Sequence, residues 1–110
     1  METTQALHCE IKKSEGSDSG QACRVVCHGQ LVASTANIIR STVKPLIAEG
    51  GPIILDLTGV DFVDSMGLGA LVALKASAIN AGHCTLHLSN LSTRIHELLE
   101  ITNLTELFRS

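Results

Sequence analysis

The chain has 110 residues, 45% of them hydrophobic and 17% charged. That is enough for one domain, spanning 1–110, to bury a core without disulfides or metal, and it is the reverse of a disordered composition. Two phenylalanines and no tryptophan or tyrosine imply an aliphatic core and exclude the stacking platforms of single-strand nucleic-acid binders. A net charge of −3, with no basic run longer than Lys12-Lys13, argues against duplex nucleic acid or an anionic membrane as partner.

The opening Met-Glu-Thr-Thr has no basic or apolar run, so no secretory leader is expected. In residues 7–13, Leu7, Cys9 and Ile11 alternate with His8, Glu10 and Lys12, the period of a half-buried strand. The Ser, Gly and Asp of residues 14–20 predict a loop. Residues 22–28 predict a second strand with Cys23, Val25 and Cys27 on its apolar face, ended by Gly29. Over residues 34–49, Ala36, Ile39, Val43, Leu46 and Ile47 recur at helical steps; Ser34 or Thr35 can cap the start and Gly50-Gly51 stops it. Pro45 conflicts with this helix, because an internal proline removes a hydrogen bond at a cost of roughly 3 kcal/mol. A kink, or an end near Val43, is expected.

Pro52 introduces Ile53-Ile54-Leu55-Asp56-Leu57, a short buried strand, and residues 58–64 read as a connection. A second helix over 65–80 carries Leu68, Leu71, Val72, Ala76 and Ile79 and is closed by Gly82. Residues 84–88 alternate as a last strand. Ser89 or Asn90 then caps a helix with Leu91, Ile95, Leu98 and Leu99 on one face, Asn103 suits a left-handed C-cap, and Leu104, Leu107 and Phe108 give a final turn. Residues 76–93 carry no Asp, Glu, Lys or Arg, but Ser77, Asn80, Gly82, His83 and Asn90 interrupt them, so they do not read as a membrane span. A cytoplasmic protein with reduced cysteines is the expectation.

The order β-β-α-β-α-β-α, with strand–helix–strand units from 22 to 88, implies parallel neighbours joined by crossovers and a first strand added antiparallel. The fold class is α/β: a small mixed β-sheet with packed helices.

The informative stretch runs from Ile53 to Gly69 and ends in Asp64-Ser65-Met66-Gly67-Leu68-Gly69. A serine in the opening turn of a helix lies beside unpaired N–H groups and the positive end of the helix dipole, where a phosphate would be held. Gly67 and Gly69 each cost about 1 kcal/mol against Ala within a helix, which suggests that a partner needs close access. The alternative stays open that Asp64 or Ser65 is simply a helix cap. The stretch is neither a dinucleotide fingerprint nor a Gly-x-Ser-x-Gly elbow.

Leu-Asp-Leu-x-Gly-Val-x-Phe-Val-Asp-Ser-x-Gly-Leu-Gly, residues 55–69, resembles the central motif of the STAS domain, in particular that of bacterial anti-sigma factor antagonists. Gly29-Gln30-Leu31 sits where that family has a Gly-Glu-Leu-Asp-like turn, and Asn103-Leu104-x-x-Leu107-Phe108 resembles its C-terminal ending. The resemblance implies a non-enzymatic regulator that works by partner switching, with no cofactor. Unphosphorylated, it binds an anti-sigma factor that is also a serine kinase, and the sigma factor is released. The kinase phosphorylates Ser65, the complex parts, and a serine phosphatase resets it. Asp64, Met66, Gly67, Leu68 and Gly69 are the implied partner-binding residues. Two positions depart from the family: Leu31-Val32 follow Gln30 without an acid, and Met66 replaces a small residue. The alternative within the fold is a scaffold or transport-associated regulatory subunit that docks a partner through the same helix face without phosphorylation. An enzyme using Ser65 as nucleophile lacks a histidine base placed near it in sequence.

Cys23 and Cys27 fall on one strand face about 13 Å apart, too far to share a metal or a disulfide, and with Cys84 they read as core. Cys84 and His87 point to opposite faces, against a metal site. Asp56, near the end of a central strand, is either catalytic or a support for the adjoining loop. Lys12, Lys13, Lys75 and Arg94 read as solvated charges.

Overall fold

A computed structural model describes residues 7–17 and 20–108, and for residues 14–17, 20 and 21 the backbone alone. Seven elements follow in the expected order: β1 (Leu7–Ser17), β2 (Gly20–Leu31), α1 (Ala36–Glu49), β3 (Gly51–Val63), α2 (Ser65–Ala81), β4 (Cys84–Ser89) and α3 (Thr93–Ile101). The sheet order is β1-β2-β3-β4. β1 is antiparallel to β2, while β2, β3 and β4 run parallel, joined by α1 and α2 as crossovers. This is the mixed α/β sheet the sequence implies. The expected loop over 14–20 is shorter: the strands extend to Ser17 and resume at Gly20, and residues 18–19 lie outside the described residues.

The apolar strand face buries Leu7, Cys23, Val25, Cys27, Ile53, Leu55, Leu57 and Leu86 in one cluster with Ile39 and Val43 of α1 and Leu71 and Leu74 of α2. α1 and α2 pack side by side, and α3 packs on β3.

β3 departs most from expectation, because residues 58–63 continue the strand instead of forming a connection. Two register shifts against β2, between Val26 and His28 and between Gly29 and Gln30, each place one extra residue on β3. Beyond Leu57 the buried positions are therefore Val60 and Val63, three apart, and the period-two signal is lost although the strand continues.

α1 runs through Pro45 to Glu49 and does not end near Val43. Ser41 and Pro45 are both exposed, so solvent can take the carbonyl that the proline leaves without a donor. Gly50 and Gly51 stop it with φ of +87° and +89°. Thr35 is its N-cap residue but makes no cap hydrogen bond. Its buried hydroxyl instead donates to the Gln30 carbonyl at 2.8 Å and accepts the Val32 N–H at 2.9 Å, which fixes the turn out of β2.

α2 buries Gly67, Leu68, Ala70, Leu71, Leu74, Lys75 and Ala78. The expected stripe through Ala76 and Ile79 is corrected: both are exposed, because α2 is apolar nearly all round and periodicity could not choose its face. Lys75 is not solvated. It is buried, and its Nζ donates to the Leu86 carbonyl of β4 at 2.9 Å. α3 is capped by Ser92, whose hydroxyl accepts the Ile95 N–H, and not by Ser89 or Asn90. Asn103, at φ +62°, ends it as expected, with Leu104 N–H bonded to Leu99 O and Asn103 N–H to Glu100 O, the paired bonds of a Schellman motif.

Candidate functional site

The parallel strands β2 and β3 end side by side, Leu31 opposite Val63, and each leads into a helix. Asp64 joins the two ends. Its N–H donates to the Leu31 carbonyl at 3.2 Å. One carboxylate oxygen, Oδ1, accepts the Gly67 N–H at 2.8 Å, and Oδ2 accepts the Ala33 N–H at 3.2 Å. Asp64 therefore caps α2 and ties it to the turn before α1.

Gly67 seats the helix on the sheet. It is buried, and a Cβ there would overlap the Leu31 carbonyl oxygen and lie 2.7 Å from the carbonyl carbon. The expectation that Gly67 leaves room for a partner is corrected: Leu31 occupies that room. Leu68 is also buried, in the core cluster. Gly69 is the open glycine, exposed and with nothing within 4 Å of an added Cβ. The surface of the motif is thus Ser65, Met66 and Gly69, with Asp64 beneath them as the anchor.

Ser65 is exposed as the first residue of the 17-residue α2. Its N–H and that of Met66 precede the first intrahelical bonds and so lack helical acceptors, and the positive end of the helix dipole lies here. Met66 is 55% exposed, and Phe62 and Ile38, near the same ends of β3 and α1, are 40% exposed each. Asp61 is exposed as well. Residues 29–39 and 58–74 contain no Lys or Arg. An anion added at Ser65 would meet backbone N–H groups, on a stretch of chain that supplies no Lys or Arg of its own.

Asp56 lies elsewhere, at the first bulge of β3. Oδ1 accepts the Thr58 N–H (3.0 Å), the Thr58 hydroxyl (2.5 Å) and the Asn90 amide (3.0 Å), and Oδ2 accepts Arg24 at 3.1 Å. Burial pushes this carboxyl up, but the Thr58 hydroxyl, Asn90, the Thr58 N–H and Arg24 together outweigh it and hold it below the usual range. Of the two readings, loop support is the one the structure bears out: the carboxylate joins β2, the bulge and the turn at Asn90. Sequence reasoning missed Arg24 and Asn90, which only the register brings together.

Cys23, Cys27 and Cys84 are buried, as expected. Among the described residues no group of three or more His, Cys, Asp or Glu is placed to hold a metal ion, and no helix is long and apolar enough to cross a membrane.

A family model described as the STAS domain matches residues 14–110. The chain belongs to the STAS domain family. This STAS protein is 28% identical over 101 residues to the anti-sigma-B factor antagonist of Bacillus subtilis (strain 168), an alignment covering 92% of this chain and 87% of the relative. Its fold is shared with the phosphorylated form of the Bacillus cell fate determinant SpoIIAA, at a TM-score of 0.63 and 17% identity, covering 89% of this chain and 87% of that one. It is shared also with part of the murine anion transporter Slc26a9, at a TM-score of 0.69 and 21% identity; there the match covers 94% of this chain and 19% of the transporter. At these identities the two structures show the fold alone.

Proposed function

We propose that this STAS protein is an anti-sigma factor antagonist, a cytoplasmic binding protein without catalysis of its own, and that phosphorylation of Ser65 switches it. Unphosphorylated, it docks an anti-sigma factor with serine kinase activity through the surface at the start of α2, centred on Ser65, Met66 and Gly69. The observation that carries this reading is the placement of Ser65: an exposed hydroxyl at a helix N-terminus, on a turn fixed by Asp64 and Gly67, with no Lys or Arg near it in sequence. The named role of the Bacillus subtilis relative agrees with it.

The chemistry of the switch follows. Phosphorylation adds about −1.5 to −2 charges beside the exposed apolar side chain of Met66. The α2 N–H groups can donate hydrogen bonds to a phosphate in the free protein. Within a desolvated interface the extra charge lacks a counter-ion and is expelled. Leaving a charge unpaired in a buried site costs about 3–5 kcal/mol, which is a loss of affinity of about 100-fold or more. A serine phosphatase would restore the hydroxyl and the complex.

The test is affinity for the anti-sigma factor kinases encoded in the same genome, measured for wild type, Ser65→Ala and Ser65→Asp. The reading expects the alanine form to bind as wild type and the aspartate form to bind about 100-fold more weakly. Equal affinity of all three for a bound partner would favour the scaffold or transport-associated role instead.

A further inference from the structure

The antiparallel register sets Cys9 of β1 directly opposite Cys27 of β2. Their Sγ atoms are 3.7 Å apart. Directly opposed residues in such a ladder have Cα atoms about 4.5–5.5 Å apart, inside the span of about 4.4–6.8 Å that a disulfide bridges. Closing the bond needs rotation of two side chains and no movement of the strands. The two thiols also differ in access. Cys9 is on the edge strand and half-buried, whereas Cys27 is fully buried beneath it. Cys23 and Cys84 have no comparable arrangement, since β3 lies between their strands.

We propose that Cys9 and Cys27 form a peroxide-reactive dithiol that a hydroperoxide converts to an intramolecular disulfide between β1 and β2. The hydrogen-bond contact with Cys27 lowers the Cys9 thiol below its usual range, against the opposing effect of burial and with help from the Thr42 hydroxyl of α1. The same contact with Cys9, and then burial, push the Cys27 thiol up. Cys9, the more accessible of the two on the edge strand, is the attacking thiol, and the buried Cys27 resolves the intermediate in the second step.

In the first step Cys9 Sγ attacks the peroxide. An S–O bond forms and the O–O bond breaks, and the departing hydroxide takes up the proton that Cys9 has lost, leaving as water. In the second step Cys27 Sγ attacks Cys9 Sγ. The S–S bond forms, the S–O bond breaks, and the hydroxide leaves with the Cys27 proton as a second water. Two thiols have given up two electrons and one hydrogen peroxide has been reduced to two waters.

The full chain is treated with hydrogen peroxide, its remaining thiols are blocked, and it is digested without reduction for mass spectrometry. The expected product is a peptide pair linked through Cys9 and Cys27, reversed by dithiothreitol, with a yield that does not change on dilution. Cys9→Ser should lose the link and leave Cys27 as a free thiol. Cys27→Ser should leave Cys9 as a sulfenic acid that dimedone traps, and circular dichroism checks that each variant is folded. Cys9 proceeding to sulfinic acid in the wild type beside a free Cys27 would overturn the proposal. So would a dilution-sensitive Cys9–Cys9 dimer, or a Cys23–Cys84 link as the main product.

Discussion

Gly67 and Gly69 stand two residues apart in the first turns of one helix, and substitution by alanine should move stability in opposite directions. At Gly67 the new Cβ meets the backbone of Leu31, 2.7 Å from its carbonyl carbon, and comes within 2.9 Å of Leu31 Cγ. The carbonyl belongs to the end of β2 and also accepts the Asp64 N–H, so it cannot turn aside as a flexible side chain would. Overpacking of this kind costs about 1–3 kcal/mol, and contact with fixed backbone places it at the upper end. Removing a helical glycine returns about 1 kcal/mol, so Gly67→Ala should lose about 2 kcal/mol net. At Gly69 the Cβ meets nothing within 4 Å, and Gly69→Ala should gain up to about 1 kcal/mol. Urea titrations of both variants measure the difference of about 3 kcal/mol, and thermal melts should separate by about 10 °C or more. If Gly67→Ala is neutral or stabilising, the seating of α2 on Leu31 is wrong, and with it the account of why Ser65 is presented as it is.

Two further outcomes test the supports around that turn. Asp64→Ala removes both the α2 cap and the tie to Ala33 and should cost about 1–2 kcal/mol in chemical denaturation; a cost below about 0.5 kcal/mol would mean the turn is held without it. Asp56 should govern acid stability. Its folded pKa lies below the 3.8 of the unfolded group, so the unfolded state binds the proton first and stability rises with pH through that window. The contribution is present above 3.8 and lost as pH falls through the lower folded value. Denaturation midpoints measured from neutral pH downward should fall more steeply for wild type than for Asp56→Asn, and parallel curves would contradict the assigned carboxylate network.

Most elements of the fold were legible because their apolar residues alternate or recur at helical steps. Val25 and Cys27 show it in β2, and Ile39, Val43 and Leu46 in α1, all buried as expected. Legibility failed where tertiary structure sets the pattern. The end of β3 was hidden because two bulges space Leu57, Val60 and Val63 three apart. The inward face of α2 was hidden by its all-round apolarity, and Lys75 looked solvated because nothing in sequence announces the Leu86 carbonyl that receives its ammonium. At the candidate site, Asp64-Ser65 and its helix were readable from the residues alone. The division of labour between the two glycines was not, since Gly67 owes its place to Leu31, which lies 36 positions earlier in the sequence. The Cys9–Cys27 pair likewise depends on strand register, which spacing alone does not supply.

The most direct measurement combines site mapping and release on one sample. The unphosphorylated chain is bound to its anti-sigma factor kinase, ATP is added, and the free and bound fractions are separated and mapped by mass spectrometry. The account predicts one phosphate, on Ser65, confined to chains that have left the complex, with Ser65→Ala remaining bound throughout. Phosphate on Ser34, Thr58 or Ser92 in its place, or Ser65-phosphorylated chains still bound, would contradict it.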